Sequence, residues 1–369
     1  MKIDKFQIRK TNFSGWNSNE IEFGNVNLLV GNSGSGKSNL LTSIFSMGTS
    51  AVRTKDKIIG SWKVDVRCND TLFKWDIEYR RKDDKSNEVV KELITVCHGD
   101  DCKIIVDRTI DNFLFNGVKL PKISIEDSAI YLLKEEESIK PLFDGMSNII
   151  RRDFASSKMK NSIENHLLDL NEKENIGKNN NLLALVNVDS LNDRLDIINK
   201  HMNHVFENIC ESFKEVFPFI VDMKIVKQKT NIGIFTILNI KEKNCSEWVP
   251  LDRLSSGMQK VLYVLTDIYT LPKGAIYLID EYENSLGINA IDFFPDFLAE
   301  HFNDNQFFIT SHHPYIINHI PVKNWYICHR SGTEIKVKYG QEIVDRYGPS
   351  KQKAFYNLIN DPFYTEGIE

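Results

Sequence analysis

The sequence predicts an α/β chain: a mostly parallel sheet into which an antiparallel β-subdomain and an α-helical lobe are inserted. Three observations carry that prediction. Apolar, strand-like runs at Val26–Val30, Ala275–Ile279 and Phe307–Thr310 each end in a polar stretch rich in chemically capable side chains. Parallel strands that present a ligand site at their C-terminal ends have this pattern. Between the first two runs, residues 59–120 alternate with a period of two, and residues 124–217 then carry apolar residues at spacings of three and four. The first period marks half-buried antiparallel strands and the second marks helices.

The expected layout follows from those changes of period. Residues 1–58 form the first half of the core, 59–120 the antiparallel subdomain, 121–217 the helical lobe, 218–330 the second half of the core, and 331–369 a short strand and helix. At 369 residues, 41% hydrophobic and 26% charged, the chain has a globular composition and can bury a large core without disulfides. Its net charge of -5 gives no global drive toward nucleic acid and leaves only a local basic groove as a route to it. The cysteines Cys68, Cys97, Cys102, Cys210, Cys245 and Cys328 are scattered. Cys97-His98 and Cys102 lie close together, but no second ligand pair follows, as a structural zinc site would require. Reduced thiols in a cytoplasmic protein are expected. Met1–Phe6 lacks the apolar core of a signal peptide, and no apolar run reaches the roughly 18 residues of a membrane span.

Taken in order, Ile3, Phe6 and Ile8 mark a first strand, Ile21 and Phe23 a second, and Val26–Val30 a buried third. Phe13 and Trp16, in the polar loop between the first two, are candidates to stack on an adenine ring, and equally read as packing residues. Beyond Ile59, Trp62, Val64 and Val66 alternate, as do Leu72, Trp75, Ile77 and Tyr79. Polar turns such as Asn69-Asp70, Gly99–Asp101 and Asn116-Gly117 separate these strands. Leu191, Leu195, Ile198, Met202, Val205, Ile209 and Phe213 predict one helix, with Ser190 and Asp193 as its N-terminal capping signal. At about 26 residues it would span roughly 39 Å, short of a coiled-coil arm. Asn171–Asn181 reads as a polar, mobile loop, and Arg80-Arg81-Lys82 and Arg151-Arg152 as solvated surface charge. Phe219–Lys227 and Gly233–Ile240 predict two more strands.

Gly31-Asn32-Ser33-Gly34-Ser35-Gly36-Lys37-Ser38 fits the phosphate-loop pattern G-x-x-x-x-G-K-[ST] at every fixed position, between a buried strand and a helical run that starts at Asn39. The glycines let backbone N–H groups turn inward onto phosphates, and the helix N-terminus adds a favourable dipole. Lys37 is then placed to reach the β- and γ-phosphates, and the Ser38 hydroxyl to hold Mg²⁺. Leu254-Ser255-Ser256-Gly257-Met258-Gln259 opens a strongly apolar helix with small residues, which leaves its first N–H groups open to an anion. Asp280-Glu281 ends a buried strand, where one acid can support Mg²⁺ and the next can polarise an attacking water. Ser311-His312-His313 ends another, where a histidine can hydrogen-bond a γ-phosphate; taken alone, the pair equally reads as structural.

In that order, the Lys37 loop, Leu254–Met258, Asp280-Glu281, Ser285-Leu286 and His312 resemble an ABC-type P-loop ATPase head, whose signature motif is usually Leu-Ser-Gly-Gly-Gln. Residues 280–287 and 310–317 are similar to the OLD-like branch of the OLD-like and SMC-like group, which includes small ATPase subunits of bacterial anti-phage systems of the Septu and PARIS type. The resemblance covers about 1–50 and 245–330. It implies that two heads sandwich two ATP molecules, with Lys37 and Ser38 of one facing Ser255 and Gly257 of the other. Asp280 would support Mg²⁺, Glu281 would be the catalytic base, His312 the γ-phosphate switch, and residues 283–287 the link between the two sites.

Three positions depart from the family. Met258 stands where the signature has glutamine, and Gly287 where Asp or His follows the leucine. No glutamine occurs between Gln7 and Gln228, so the Q-loop glutamine is missing and a Ser, Asp or Glu within 124–137 is expected to replace it. Residues 331–369 are too short for the Toprim nuclease domain of OLD-like nucleases, so no intrinsic nuclease is expected. The resemblance therefore implies an ATP-hydrolysing sensor or regulatory subunit that forms homodimers or larger homo-oligomers and controls a separate, nuclease-like effector. A DNA-acting ATPase of the SMC or recombination type is the alternative, though the long arm such proteins carry is absent. A transporter subunit fits poorly without the Q-loop glutamine that meets the membrane partner.

Overall fold

The computed structural model describes residues 1–11, 15–52, 60–81, 87–121, 124–153, 175–177, 182–188, 190–230, 233–284, 286–287, 290–291, 293, 297, 304–347 and 351–366. The chain divides into two compact units. The first comprises Met1–Asp153, Gly274–Tyr282 and Phe302–Glu369, and the second Phe154–Lys273 with Glu283–His301. Among the described residues no helix is long and apolar enough to cross a membrane.

The first unit holds two sheets. In the seven-stranded sheet the order is Ile149–Asp153, Ile276–Asp280, Gln306–Thr310, Val26–Val30, Trp325–Ser331, Glu334–Tyr339 and Asn17–Ser18. The first five strands pair in parallel, and Glu334–Tyr339 returns antiparallel to Trp325–Ser331. Val26–Val30, Ile276–Asp280 and Gln306–Thr310 are buried along their whole length, which explains their near-continuous apolar sequences. Of their few polar residues, Asn27 donates its side-chain amide to the Gly24 and Phe307 carbonyls at 3.0 Å each.

The second sheet has eight antiparallel strands, from the edge hairpin Phe113–Phe115 and Val118–Lys119 through Asp101–Thr109, Asn87–His98, Thr71–Arg81 and Gly60–Cys68. Lys2–Thr11 and Ile21–Glu22 complete it. The first strand thus joins the antiparallel sheet, where Phe6 pairs with Val64 and Ile8 with Trp62, and not the parallel core. Asn116 and Gly117 both take positive φ, 50° and 79°, so this Asn-Gly pair forms the tight hairpin turn between Phe113–Phe115 and Val118–Lys119.

Helix Lys37–Val52 joins the two sheets into one core. Its Leu40, Leu41, Ile44, Met47 and Ala51 lie in one buried cluster with Ile3, Phe6, Trp62 and Trp75 of the antiparallel sheet and Leu278 and Phe308 of the parallel one. Under the antiparallel sheet, the fully buried Glu92 accepts hydrogen bonds from Trp75 Nε1 at 3.0 Å and the Ala129 N–H at 2.8 Å, and pairs with Arg108 at 3.4 Å. Arg108 also donates to the carbonyls of Asp127 and Ser124, each at 2.7 Å. Burial pushes the Glu92 carboxyl above its ordinary value despite Arg108.

The second unit carries helices Leu182–Val186, Leu191–His201, Asn203–Val216 and Ser256–Tyr269, and a three-stranded antiparallel sheet of Ile220–Thr230, Gly233–Glu242 and Trp248–Pro250. The single long helix expected from Leu191 to Phe213 is two helices. Met202, at φ -138° and ψ 53°, ends the first with its N–H on the Ile198 carbonyl and starts the second. Apolar spacing survives such a break, because both halves face the same interior. Arg194 and Asp267, fully buried, pair at 2.7 Å within this unit. The Asn171–Asn181 segment lies outside the described residues except at 175–177.

The thiols also differ from expectation. Cys97 and Cys102 form a disulfide, whereas Cys68, Cys210, Cys245 and Cys328 are free. The two bridged residues are opposite each other in the register of Asn87–His98 with Asp101–Thr109, so the hairpin itself brings them together.

Replacing Arg108 with Met leaves the Glu92 carboxylate and two carbonyls short of partners. The variant should lose about 3–5 kcal/mol of unfolding free energy in urea titrations. A loss below about 1 kcal/mol would mean that this network contributes little.

Candidate functional site

The parallel strands all deliver their C-terminal ends to one edge of the seven-stranded sheet. There, Gly31, Asn32, Ser33, Gly34, Gly36, Lys37, Ser38, Asn39, Glu281, Thr310, Ser311, His312, Arg330 and Tyr364 line one cavity of about 500 Å³. The predicted loop, the acid after the second core strand and the histidine after the third are therefore brought together.

Two glycines fit the loop to its support. Gly31 has φ +155°, and a Cβ there would meet the Cys328 carbonyl oxygen at 2.5 Å and Ser35 Oγ at 2.6 Å. Gly36 has φ +94°, and its Cβ would meet the Ile335 side chain at 2.8 Å. The loop is pressed onto the last two long strands of the sheet, and only glycine permits that approach. Ser35 is fully buried beneath it, whereas Ser33, Gly34 and Ser38 are exposed to the cavity side. Lys37 Nζ donates to the carbonyls of Gly31 at 2.7 Å and Asn32 at 2.9 Å, folding the ammonium over its own loop. Burial pushes the Cys328 thiol up to about 12 against the opposing pull of Lys37, so it packs as a neutral group.

Asp280 is the hub of the site. Its Oδ1 accepts from Ser38 Oγ at 3.0 Å and from Thr310 Oγ1 at 2.7 Å, and its Oδ2 meets Arg151 Nη2 at 3.4 Å. Arg151 also donates to Thr42 Oγ1 at 3.0 Å, one turn beyond Ser38. The sequence reading of Arg151 as solvated surface is corrected: its strand pairs in parallel with Ile276–Asp280, which directs it into the site. Thr310 was also missed. Its hydroxyl accepts the Glu281 N–H at 2.7 Å, and its carbonyl accepts the Tyr282 N–H at 3.1 Å. These bonds hold Glu281 at φ +48°, a left-handed conformation unusual for a residue with a side chain. Such outliers persist only where their surroundings over-determine them, and they cluster at functional sites.

Other missed residues come from the last stretch. Asn32 Nδ2 donates to the carbonyls of Tyr364 at 2.8 Å and Thr365 at 3.2 Å. That short helix, Pro362–Thr365, is anchored by the Asp361–Arg346 pair at 2.9 Å and by Phe363 stacked on His329 at 4.7 Å. Burial pushes the Tyr364 phenol above its ordinary value. Nothing in the local sequence signals this contact, because it depends on a fold-back over the sheet.

Ser255, Ser256 and Gly257 belong to the second unit. There Ser255 N-caps helix Ser256–Tyr269, its Oγ accepting the Met258 N–H at 3.3 Å. Ser255 and Ser256 are exposed, and Met258 and Leu254 are buried, so the small residues face outward from an apolar base. The buried Lys260 of the same helix donates to the Asn284 carbonyl at 2.6 Å, tying it to the 283–287 segment. Ser285 lies outside the described residues, as does Phe13. Trp16 packs partly buried against the core, its ring beneath the Arg330 guanidinium at 5.4 Å. No residue of 124–137 lines the cavity. Ser124 and Asp127 hold Arg108 through their carbonyls, and Ser128 caps helix Ala129–Leu132.

Thr310→Val keeps the shape of the side chain and removes both hydroxyl bonds. If the loop serves ATP hydrolysis as its sequence leads one to expect, turnover in this variant should fall at least about 10-fold with nucleotide affinity within about 3-fold of wild type, because Asp280 and Glu281 each lose a bond that positions them. Unchanged turnover in a phosphate-release assay would show that Thr310 does not position Glu281.

Residues 26–318 match the family described as "AAA domain, putative AbiEii toxin, Type IV TA system". No curated protein matches the sequence. Among solved structures, the chain is similar to an SMC head bound to the C-terminal winged-helix domain of ScpA, at TM-score 0.51 and 14% identity, over 92% of this chain and 97% of that one. The SMC head domain from Thermotoga maritima aligns at TM-score 0.42 and 14% identity, over 92% of this chain and 99% of that one. The fold is that of an ABC-type ATPase head, and with the family match spanning most of its length, the chain belongs to this AbiEii-type AAA ATPase domain family.

Proposed function

We propose that this protein binds ATP with Mg²⁺, hydrolyses it to ADP and phosphate, and uses that cycle to regulate a separate effector in bacterial anti-phage defence. The observation that carries the catalytic part is the single hydrogen-bonded set Ser38–Asp280–Thr310–Glu281 on the cavity that Lys37 and His312 also line. The defence role is supported by the likeness of residues 280–287 and 310–317 to OLD-like ATPases, and by a family description that names a toxin–antitoxin system.

The donor set suits magnesium. Ser38 and Asp280 offer two hard oxygens side by side, and among the described residues no cluster of three or more His, Cys, Asp or Glu could hold a metal alone. Mg²⁺ is commonly held in this way, by one or two protein oxygens together with substrate phosphates and water. When bound, it would supply neutralisation of charge on the β- and γ-phosphate oxygens. Asn32, Ser33, Gly34, Ser35, Gly36 and Asn39 shape the loop around the phosphate chain, and Lys37 gives up its carbonyl partners to reach the β- and γ-phosphates. Asp280, kept in place by Thr310, faces the Ser38 hydroxyl. Glu281, held in its left-handed turn, takes the proton of the attacking water. His312 hydrogen-bonds the γ-phosphate and loses that contact when phosphate leaves.

The exposed Ser255, Ser256 and Gly257 would complete the site of a second head, so that two heads enclose two nucleotides. That assembly makes nucleotide state readable by a partner protein. Net charge of -5 gives no general attraction to nucleic acid.

Glu281→Gln should retain ATP and trap the closed assembly. Light scattering after size exclusion should find a larger mass with ATP and Mg²⁺ than without, and Lys37→Ala should abolish the increase. A monomer under both conditions would sink the two-head arrangement. A constant oligomer that binds ATP tightly would point to a pre-formed assembly.

A further inference from the structure

We propose that Arg330 is a further anion-binding residue of the nucleotide site, contacting the phosphate chain of ATP; this rests on the ATP-binding reading above. Arg330 stands near the end of strand Trp325–Ser331, which runs parallel to the loop strand, with Ile327 opposite Val30. Its strand end therefore opens on the same edge as the phosphate loop. The contact between Gly31 and the Cys328 carbonyl fixes the separation of the two, since Cys328 lies two residues before Arg330. Arg330 lines the cavity together with Lys37 and the loop.

Its charge lacks a protein counterpart. Arg330 is half-buried, its Nε is buried without a hydrogen-bond partner, and among the described residues no carboxylate pairs with it. Glu334, on the strand that follows, is 3.7 Å from Lys336 instead. The Trp16 ring at 5.4 Å gives the guanidinium a cation–π partner and a fixed plane, but no neutralising charge. A buried donor without a partner is costly, and a cavity that admits an anion beside the guanidinium offers it one. A guanidinium presents a planar fork of donors that matches phosphate oxygens, and the proposed substrate brings such oxygens to this cavity. Trp16 is then the support that orients Arg330, not a base-stacking platform.

The test compares binding of ATP, ADP and AMP, with Mg²⁺, by competition against a fluorescent ATP analogue. Wild type, Lys37→Ala, Arg330→Gln and Arg330→Lys are measured, with melting temperature recorded for each. Arg330→Gln should weaken ATP binding about 10- to 100-fold, as expected for loss of a charge-assisted bond, and leave AMP within about 2-fold. Arg330→Lys, which keeps the charge and loses the fork, should recover part of the ATP affinity. Unchanged ATP affinity in Arg330→Gln, with wild type binding ATP and Lys37→Ala not, overturns the assignment while the ATP site stands. Equal losses for ATP, ADP and AMP overturn it as well, in favour of a base contact or a structural role, which a lowered melting temperature identifies. If wild type itself binds no ATP, the reading of the site fails and the assignment falls with it.

Discussion

The carboxylate of Asp280 is the constraint on which the rest of the site depends. One side chain receives the Ser38 hydroxyl from the loop helix, the Thr310 hydroxyl from the neighbouring strand and the Arg151 guanidinium from the strand on the other side. Three chain segments far apart in sequence are thereby fixed to within a hydrogen bond of a single strand end. Both carboxylate oxygens are engaged, so Asp280 can be nearly buried and still keep its charge satisfied. Remove that hub and the loop, the turn at Glu281 and the edge strand lose their common reference. The parallel sheet is the means of meeting this demand, because it aligns five strand ends at one edge.

A second constraint comes from below. The phosphate loop is supported on the Cys328 carbonyl and the Ile335 side chain, at distances that only Gly31 and Gly36 allow. The two strands that provide this support also carry Arg330, His329 and Lys338. His329 and Lys338 hold Phe363, and Asn32 of the loop holds Tyr364 and Thr365. The segment around Pro362–Thr365 is therefore part of the loop's surroundings. A shift of Asn32 to accommodate phosphate has to break or carry these two bonds, which links loop geometry to that segment.

Much of this was legible in the sequence, and for identifiable reasons. Val26–Val30, Ile276–Asp280 and Gln306–Thr310 are buried on both faces, so their sequences are nearly all apolar and cannot be mistaken. The loop residues Gly31, Gly36, Lys37 and Ser38 were legible because steric and chemical demands leave few alternatives. What was not legible depends on pairing partners. Arg151 looks like surface charge until its strand is paired beside Asp280, and Thr310 looks like any β-branched strand residue until Glu281 folds back to it. Met202 divides a helix without changing the apolar spacing, since both halves keep their buried faces. The cysteines at 97 and 102 are separated by a turn that only the register identifies as a direct cross-strand meeting.

The same hub links the loop helix to the turn at Glu281. Ser38 Oγ and Asp280 Oδ1 are 3.0 Å apart and bonded directly. The Ser38 hydroxyl donates its one proton there and keeps its lone pairs, so it could hold a cation with that bond intact. Asp280 is also bound to Thr310, whose hydroxyl accepts the Glu281 N–H. Any displacement of the Asp280 carboxylate therefore acts, through one threonine side chain, on the residue held at φ +48°. Arg151 limits that displacement by keeping the other carboxylate oxygen near Thr42 on the loop helix. Thr310 is the physical link between the carboxylate facing the loop helix and the left-handed backbone of Glu281.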